Sequence, residues 1–126
     1  MFANTKAYNG FAVDDLGKAR EFYGETLGIK TSVMSQENGL MSLELAGDRT
    51  TLVYVKPDFT PATYTILNFP VDDIDQAVDE LASRGVQFER YDSFDQDEKG
   101  IARGPGPAIA WFKDPAGNIL SVLQEP

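Results

Sequence analysis

Cysteine and histidine are both absent from this 126-residue chain. Without cysteine there are no disulfides and no thiolate chemistry, so packing alone has to hold the fold together. Without histidine the chain lacks the commonest metal ligand and the usual general base near neutral pH. The sequence therefore gives little support to nucleophilic catalysis or to a histidine-bound metal.

Basic residues and long apolar runs are also scarce. The chain has 11 Lys and Arg against 20 Asp and Glu, a formal net charge of −9. Such a surface repels phosphate backbones and anionic lipids, so neither nucleic acid nor a membrane is a predicted partner. The longest apolar run, 108–112, is too short to span a bilayer, and residues 1–10 lack the pattern of a secretory signal. These features predict a cytoplasmic protein.

An internal repeat is the most informative feature that is present. Residues 8–19 recur in register as residues 66–77, and both copies share the pattern Phe-x-Val-Asp-Asp-[Leu/Ile]-x-x-Ala. A shared pattern of this length is unlikely to arise by chance in so short a chain. Two copies of one supersecondary unit are the natural interpretation.

Each copy opens with an alternating strand, at about 7–13 and 65–71, that leads into a helix. Asp15 and Asp73 are predicted N-caps, because each lies directly before an apolar stripe at helical spacing. A helix of about 16–27 is predicted in the first copy. Gly28 and Gly85 follow the two helices, where a left-handed C-cap residue is expected.

Short strands then complete each copy. They are predicted at 29–35, 39–46 and 50–56 in the first half, and at 86–91, 107–113 and 118–124 in the second. The predicted fold is therefore α+β, with two β-α-β-β-β repeats forming a curved mixed sheet around a concave cleft. The chain is interpreted as one domain, 1–126, with repeat one at about 7–56, a linker at 57–63 and repeat two at about 64–126.

Two stretches resemble a known family. F-x-V-x-D-L-x-x-A-x-x-F-Y at 11–23 and D-P-x-G-N at 114–118 are similar to hallmarks of the vicinal oxygen chelate superfamily, which includes glyoxalase I, bleomycin and fosfomycin resistance proteins and extradiol dioxygenases. The resemblance extends over 8–124. It implies a glyoxalase-like fold and a homodimer with clefts formed by paired units.

The resemblance also implies where catalytic members of the family bind a divalent metal. The corresponding positions on the inner sheet face are Tyr8, Ile66, Ser121 and, near the end of the first repeat, Val53. None carries the His, Glu or Gln found there in metal-binding members, so we predict no metal and no cofactor. An EF-hand-like start at Asp95–Gly100 also fails as a motif, since Lys99 occupies its fifth position.

Strand alternation places Tyr8, Ile66, Asn68 and Ser121 on the face away from the helices. The resemblance adds Ile109 and Trp111 to the same face. Eight residues are predicted to bind a ligand: Tyr8, Val53, Ile66, Asn68, Arg103, Ile109, Trp111 and Ser121.

Three of these residues have an alternative, structural role. Trp111 could stack on a planar ligand. In its structural role it would instead pack in the sheet interior or in a dimer interface. Asn68 binds ligand or pairs with a neighbouring side chain, and pairing is the preferred account. Arg103 lies in a Gly- and Pro-rich segment, where it either closes on an anionic ligand or is solvated.

Three functional hypotheses follow. The first is a metal-free protein that binds or sequesters a small, partly apolar molecule, because an apolar face with a few polar groups is typical of a small-molecule site. The second is a glyoxalase- or dioxygenase-like lyase or isomerase with a non-standard or metal-free site. The third is a domain kept for its dimer surface. The first is preferred, because nothing in the sequence replaces the metal on which the second depends.

Overall fold

A computed structural model describes the whole chain, Met1–Pro126, as two compact units. The first unit is Met1–Thr60 and the second is Pro61–Pro126. The boundary falls inside the predicted linker, 57–63. The interpretation of both halves as one domain stays a prediction.

The first unit contains one helical segment and a four-stranded sheet. Its strands are β1 (Asn9–Val13), β2 (Lys30–Ser35), β3 (Leu40–Leu45) and β4 (Arg49–Val55). Their order across the sheet is β1-β4-β3-β2, with β1 parallel to β4 and the other pairs antiparallel. All four strands lie within two residues of their predicted positions.

The helical segment begins as predicted but changes character halfway. Asp15 accepts a hydrogen bond from the Lys18 amide at 2.9 Å and caps α1 (Leu16–Arg20). A π-helical turn, Glu21–Thr26, then replaces the predicted α-helical continuation. Its widened i→i+5 bond joins the Leu27 amide to the Phe22 carbonyl at 2.9 Å.

The second unit has the same order of elements with one strand fewer. It contains β5 (Thr65–Pro70), α2 (Ile74–Ser83), β6 (Ala108–Lys113) and β7 (Ile119–Gln124). The sheet order is β5-β7-β6, with β5 parallel to β7 and β6 antiparallel to it. Asp73 caps α2 through the Gln76 amide at 3.1 Å, and Gly85 has the left-handed φ of 91° expected after the helix.

The predicted strand at 86–91 is wrong. Only an isolated bridge, Phe88 with Phe112, pairs this segment with β6. The pairing stops because the chain turns away after Glu89, and the Tyr91 amide donates to the side chain of Gln96. Further along the edge of β6, Ala102 takes over the pairing with Ile109.

The D-P-x-G-N motif forms the turn between β6 and β7. The buried Asp114 carboxylate accepts hydrogen bonds from the Asn118 amide at 2.8 Å and from the Asn118 side chain at 3.0 Å. Gly117 adopts a φ of 96°, which favours glycine. The motif is therefore structural.

Candidate functional site

The sheet of the second unit has one face under α2 and one face turned away from it. Ala110, Phe112, Leu120 and Val122 are buried and alternate along β6 and β7, together with the buried Ile74 of the helix. The opposite face carries the intervening side chains. The candidate site lies on that opposite face, which we call the α2-distal face.

Asn68, Ser121 and Trp111 lie side by side across the three strands on this face. The register pairs Asn68 of β5 with Ser121 of β7, and Ser121 with Trp111 of β6. Three of the sequence-predicted residues are thus brought into one row. Ile109 lies two residues before Trp111 on the same face and is half-buried.

The Asn68 and Ser121 side chains are hydrogen-bonded to each other. The Ser121 hydroxyl donates to Asn68 Oδ1 at 2.6 Å. Ser121 is fully buried, whereas Asn68 is exposed. Asn68 therefore pairs with a neighbouring side chain, as its preferred account expects, and ligand binding by Asn68 stays a prediction.

Trp111 is covered by two aromatic side chains from its own unit. The Phe94 ring lies tilted over the indole with centroids 4.8 Å apart, and the Tyr91 ring meets it edge-on at 5.5 Å. Only 9% of Trp111 is exposed, whereas Phe94 is 50% exposed. We call Tyr91, Phe94 and Trp111 the aromatic cluster.

The hydroxyl of Tyr91 is buried and has no hydrogen-bond partner. Burial raises the pKa of Tyr91, the nearby Glu89 carboxylate raises it further, and Lys113 opposes the change. Glu89 and Lys113 are themselves an ion pair at 3.4 Å. Tyr91 is therefore a neutral O–H donor at physiological pH.

The loop that carries Tyr91 and Phe94 is held by the side chain of Gln96. Gln96 Nε2 donates to the Glu89 carbonyl at 3.0 Å and to the Gly100 carbonyl at 2.7 Å. Gln96 Oε1 accepts from the Tyr91 amide at 2.8 Å. The Gln96 side chain thus binds backbone groups that a paired strand would otherwise satisfy, and it fixes both ends of the turn between Tyr91 and Gln96.

Arg103 lies against the first turn of α2, where it is ion-paired. Its guanidinium contacts Asp75 at 2.8 Å and Asp97 at 3.3 Å. The hydrogen bond from Arg103 lowers the pKa of Asp75 below its ordinary value. Ligand binding by Arg103 stays a prediction, and it would require the guanidinium to leave these carboxylates.

The acidic segment that resembles the start of an EF-hand is a hydrogen-bonded turn. The Asp97 carboxylate accepts from the amides of Lys99 at 2.9 Å and Ile101 at 3.0 Å. Burial raises the pKa of Asp97, but these two amides and Arg103 together lower it below its ordinary value. Its oxygens serve the turn and the ion pairs.

The other predicted site residues lie elsewhere. Tyr8 precedes β1 in the first unit and is 70% exposed. Ile66 is half-buried at an irregularity in β5, between Thr65 and Leu67. The roles of Tyr8 and Ile66 in ligand binding stay predictions.

The face assignment of Val53 is wrong. Val53 is fully buried and lies in register with Phe11 of β1 and Met41 of β3. Phe11 is on the helix-covered face, because its ring packs against the ring of Tyr23 in the π-helical turn, with centroids 5.6 Å apart. Val53 is therefore a core residue beside Phe11.

The residues at the family's metal positions do not fit a divalent cation. Val53 lies in the core, Ile66 has a hydrocarbon side chain, and the Ser121 hydroxyl already donates to Asn68. Tyr8 contributes only an exposed phenol. Across the whole chain, no group of three or more His, Cys, Asp and Glu side chains is placed to hold a metal ion.

Sequence reasoning missed Tyr91, Phe94 and Gln96. Tyr91 ends the predicted strand 86–91, and Phe94 follows it in a stretch for which no element and no contacts are predicted. Two aromatic residues three apart in an otherwise polar loop are a signal that the loop packs on something. Gln96 carries no such signal.

A groove on the first unit is a weaker candidate. It runs beside the π-helical turn and is lined by Gly17, Arg20, Glu21, Gly24, Glu25, Ile29 and Thr31. Its walls carry charges of both signs and few apolar groups, unlike the mostly apolar lining typical of ligand sites.

The two units share the order strand, helix and antiparallel strands, with the first and last strands of each sheet paired in parallel. This repeated arrangement defines the glyoxalase-like α+β class. The chain belongs to the Glyoxalase/Bleomycin resistance protein/Dioxygenase superfamily, whose family model matches residues 7–122. The predicted fold class and the family resemblance are both confirmed.

Solved structures with the same fold come from several bacteria. TnmS3 from Streptomyces sp. CB03234, an antibiotic binding protein, is 24% identical with a TM-score of 0.72, and 98% of each chain is covered. A superfamily member from Sphaerobacter thermophilus is 24% identical with a TM-score of 0.71, covering 96% of this chain and 98% of that one. The fosfomycin resistance protein FosX from Listeria monocytogenes is 13% identical with a TM-score of 0.73, covering 98% and 93%.

A search of curated proteins found no match. None of the helices has the length and apolar character needed to cross a membrane.

Proposed function

We propose that this protein binds or sequesters a small, partly apolar molecule on the α2-distal face of the second sheet. The observation that carries the proposal is the row Asn68–Ser121–Trp111, in which a polar pair lies beside the aromatic cluster. An apolar wall supplies affinity for a small molecule, and a few fixed polar groups set its orientation. Both kinds of group are present here within one unit.

The polar pair is suited to orienting a ligand because Ser121 holds it in place. The hydroxyl of Ser121 occupies Asn68 Oδ1, so the Asn68 amide has one preferred orientation. Its NH2 group can then donate to an acceptor on a bound molecule. A preorganised donor loses less side-chain entropy on binding than a freely rotating one.

Two relatives support this class of function. TnmS3 is described as an antibiotic binding protein, and FosX as a fosfomycin resistance protein. Those descriptions apply to those proteins. For this chain they support a small molecule as the partner, and the side chains of Tyr8, Ile66 and Ser121, none of which is a usual metal ligand, support a metal-free mode of binding.

No observation favours the lyase or isomerase alternative. The side chains beside the aromatic cluster offer no paired acid and base, since Glu89 and Lys113 are engaged with each other. The proposal also includes a homodimer and a cytoplasmic location, which rest on the family resemblance and on composition alone.

A ligand titration tests the proposal. Trp111 is the only tryptophan, so its fluorescence reports directly on the site. We expect at least one compound in a panel of small planar and apolar molecules to change that fluorescence saturably and to release or absorb heat with 1:1 stoichiometry. The dissociation constant should be on the order of micromolar.

The matched control is Tyr64→Ala, which removes an exposed aromatic side chain outside the aromatic cluster. This variant should bind the same compound equally well. If no compound in the panel binds the wild-type protein, or if binding persists unchanged in Trp111→Phe and Asn68→Ala, the proposed site is wrong.

A further inference from the structure

The unpartnered hydroxyl of Tyr91 is the feature of the aromatic cluster that packing does not explain. Buried hydroxyls in folded proteins nearly always have a hydrogen-bond partner, because an unpaired one loses its bonds to water without replacement. The Tyr91 hydroxyl has none, although its ring packs against Trp111. A phenylalanine would fill the same space without this penalty.

The surroundings of this hydroxyl suit a neutral hydrogen-bond acceptor. The phenol stays protonated because burial and Glu89 raise its pKa. Glu89 also opposes an anionic group nearby, and Lys113 is already paired with Glu89. A carbonyl oxygen meets these conditions, whereas a carboxylate or a phosphate does not.

Phe94 covers the ring that such a ligand would stack on. It lies on the turn 92–95, whose four residues are all exposed. The two ends of the turn are fixed by the hydrogen bonds between Gln96 and the segment 89–91. Inside the turn, one backbone bond joins the Phe94 amide to the Tyr91 carbonyl at 3.1 Å. The Phe94 ring can therefore swing away without releasing those anchors.

We infer that Phe94 is a displaceable cover, and that the site beneath it takes a planar aromatic molecule bearing a carbonyl oxygen, which accepts the Tyr91 hydroxyl. The ligand ring replaces Phe94 against Trp111, so one aromatic contact is exchanged for another. The carbonyl then supplies the partner that Tyr91 lacks. This inference rests on the proposed function and adds the chemical class of the ligand and two specificity-determining residues.

A matched pair of probes tests the hydroxyl. 2-Acetylnaphthalene and 2-ethylnaphthalene have nearly the same shape, but only the first has an acceptor oxygen. The wild-type protein should bind the acetyl probe about tenfold more tightly, the ratio expected for one hydrogen bond to a buried donor. In Tyr91→Phe the ratio should fall to about one, with little change for the ethyl probe.

The same variant has a second readout that does not depend on any ligand. Tyr91→Phe removes an unsatisfied buried hydroxyl, so the unliganded variant should have a higher melting temperature than the wild type. Tyr64→Phe is the matched control, because it removes a hydroxyl from an exposed tyrosine outside the aromatic cluster. It should preserve the tenfold ratio.

The cover is tested by kinetics. Phe94→Ala should raise the association rate of 2-acetylnaphthalene several-fold in stopped-flow measurements. It should also increase the quenching of Trp111 fluorescence by acrylamide. Unchanged association and quenching would overturn the role of Phe94 as a cover.

The inference and the proposed function fail differently. If 2-acetylnaphthalene binds but the ratio is the same in Tyr91→Phe, or if other panel compounds bind and neither naphthalene does, the inference is overturned and the proposed function stands. If no compound binds at all, both are overturned.

Discussion

At the scale of single residues, the hydrogen bond between Ser121 and Asn68 determines how the α2-distal face is built. Ser121 is fully buried and Asn68 is exposed, so the two residues depend on this bond unequally. Water can replace the lost donor when Ser121 is removed. When Asn68 is removed, the buried Ser121 hydroxyl loses the acceptor to which it donates.

Single and double substitutions should show this asymmetry. Ser121→Ala should lower the free energy of unfolding by about 1 kcal/mol, and Asn68→Ala by about 1–3 kcal/mol because it leaves a buried hydroxyl unpaired. The double variant should be less destabilised than the sum of the two. Urea unfolding measures the free energy of unfolding of all three variants.

The control is Ser32→Ala, because Ser32 is exposed on β2, and it should change the free energy of unfolding by less than about 0.5 kcal/mol. Strict additivity of the Ser121 and Asn68 substitutions would contradict the assigned hydrogen bond.

The contrast between Asn68 and Val53 shows which residue-level predictions the sequence supports. An isolated amide in an apolar strand needs a partner, so the pairing of Asn68 follows from its own chemistry. The face occupied by Val53 depends instead on the parallel register that sets it beside Phe11. Alternation gives each strand two faces, but it does not say which residues of two strands lie side by side.

At the scale of elements, the loop between α2 and β6 depends on Gln96. Its side chain makes three hydrogen bonds to backbone groups of Glu89, Tyr91 and Gly100. These bonds position the turn that carries Phe94. The loop therefore has a defined conformation without being a strand.

Removal of this side chain should loosen the loop selectively. Gln96→Ala leaves one amide and two carbonyls without their partner, which should lower the free energy of unfolding by about 1–3 kcal/mol. Amide hydrogen exchange should accelerate in residues 89–103 and stay unchanged in β7. Gln76→Ala, on the exposed surface of α2, is the matched control and should have little effect. Exchange that accelerates equally throughout the second unit would show that Gln96 acts globally.

The helix caps and the loop differ in how far the sequence could predict them. Asp15 and Asp73 each cap a helix through an amide three residues away, so a short pattern contains the whole interaction. Gln96 bonds to groups four to seven residues away across an irregular turn. No periodic pattern marks such contacts, and the apolar alternation of 86–91 predicted a strand where this side chain redirects the chain.

At the scale of the whole molecule, the internal repeat accounts for the fold, and the lack of metal-ligating side chains bears on the function. The repeat gives the family fold, and its capping aspartates and turn motifs are structural. The family resemblance implies the metal positions at Tyr8, Ile66 and Ser121, and comparison of the two halves predicts the fourth near Val53. The structure places Val53 in the core instead, so the fourth position could not be assigned from the sequence.

A metal titration is the test at this scale. Chelator-treated protein should show no stoichiometric binding of Zn²⁺, Ni²⁺, Mn²⁺ or Fe²⁺, followed by Trp111 fluorescence and by heat. The reason is chemical: these cations need imidazole, carboxylate or thiolate ligands in a fixed geometry, and no group of three such side chains converges anywhere in the chain. Weak binding of several ions to the surface is expected from the net charge of −9, and it should disappear as salt is added.

A salt-resistant 1:1 site with micromolar or tighter affinity would contradict the metal-free mode of binding. Such a site would also make the lyase or dioxygenase alternative the better account of the protein, because a bound metal could supply the Lewis acidity that the side chains of this chain lack.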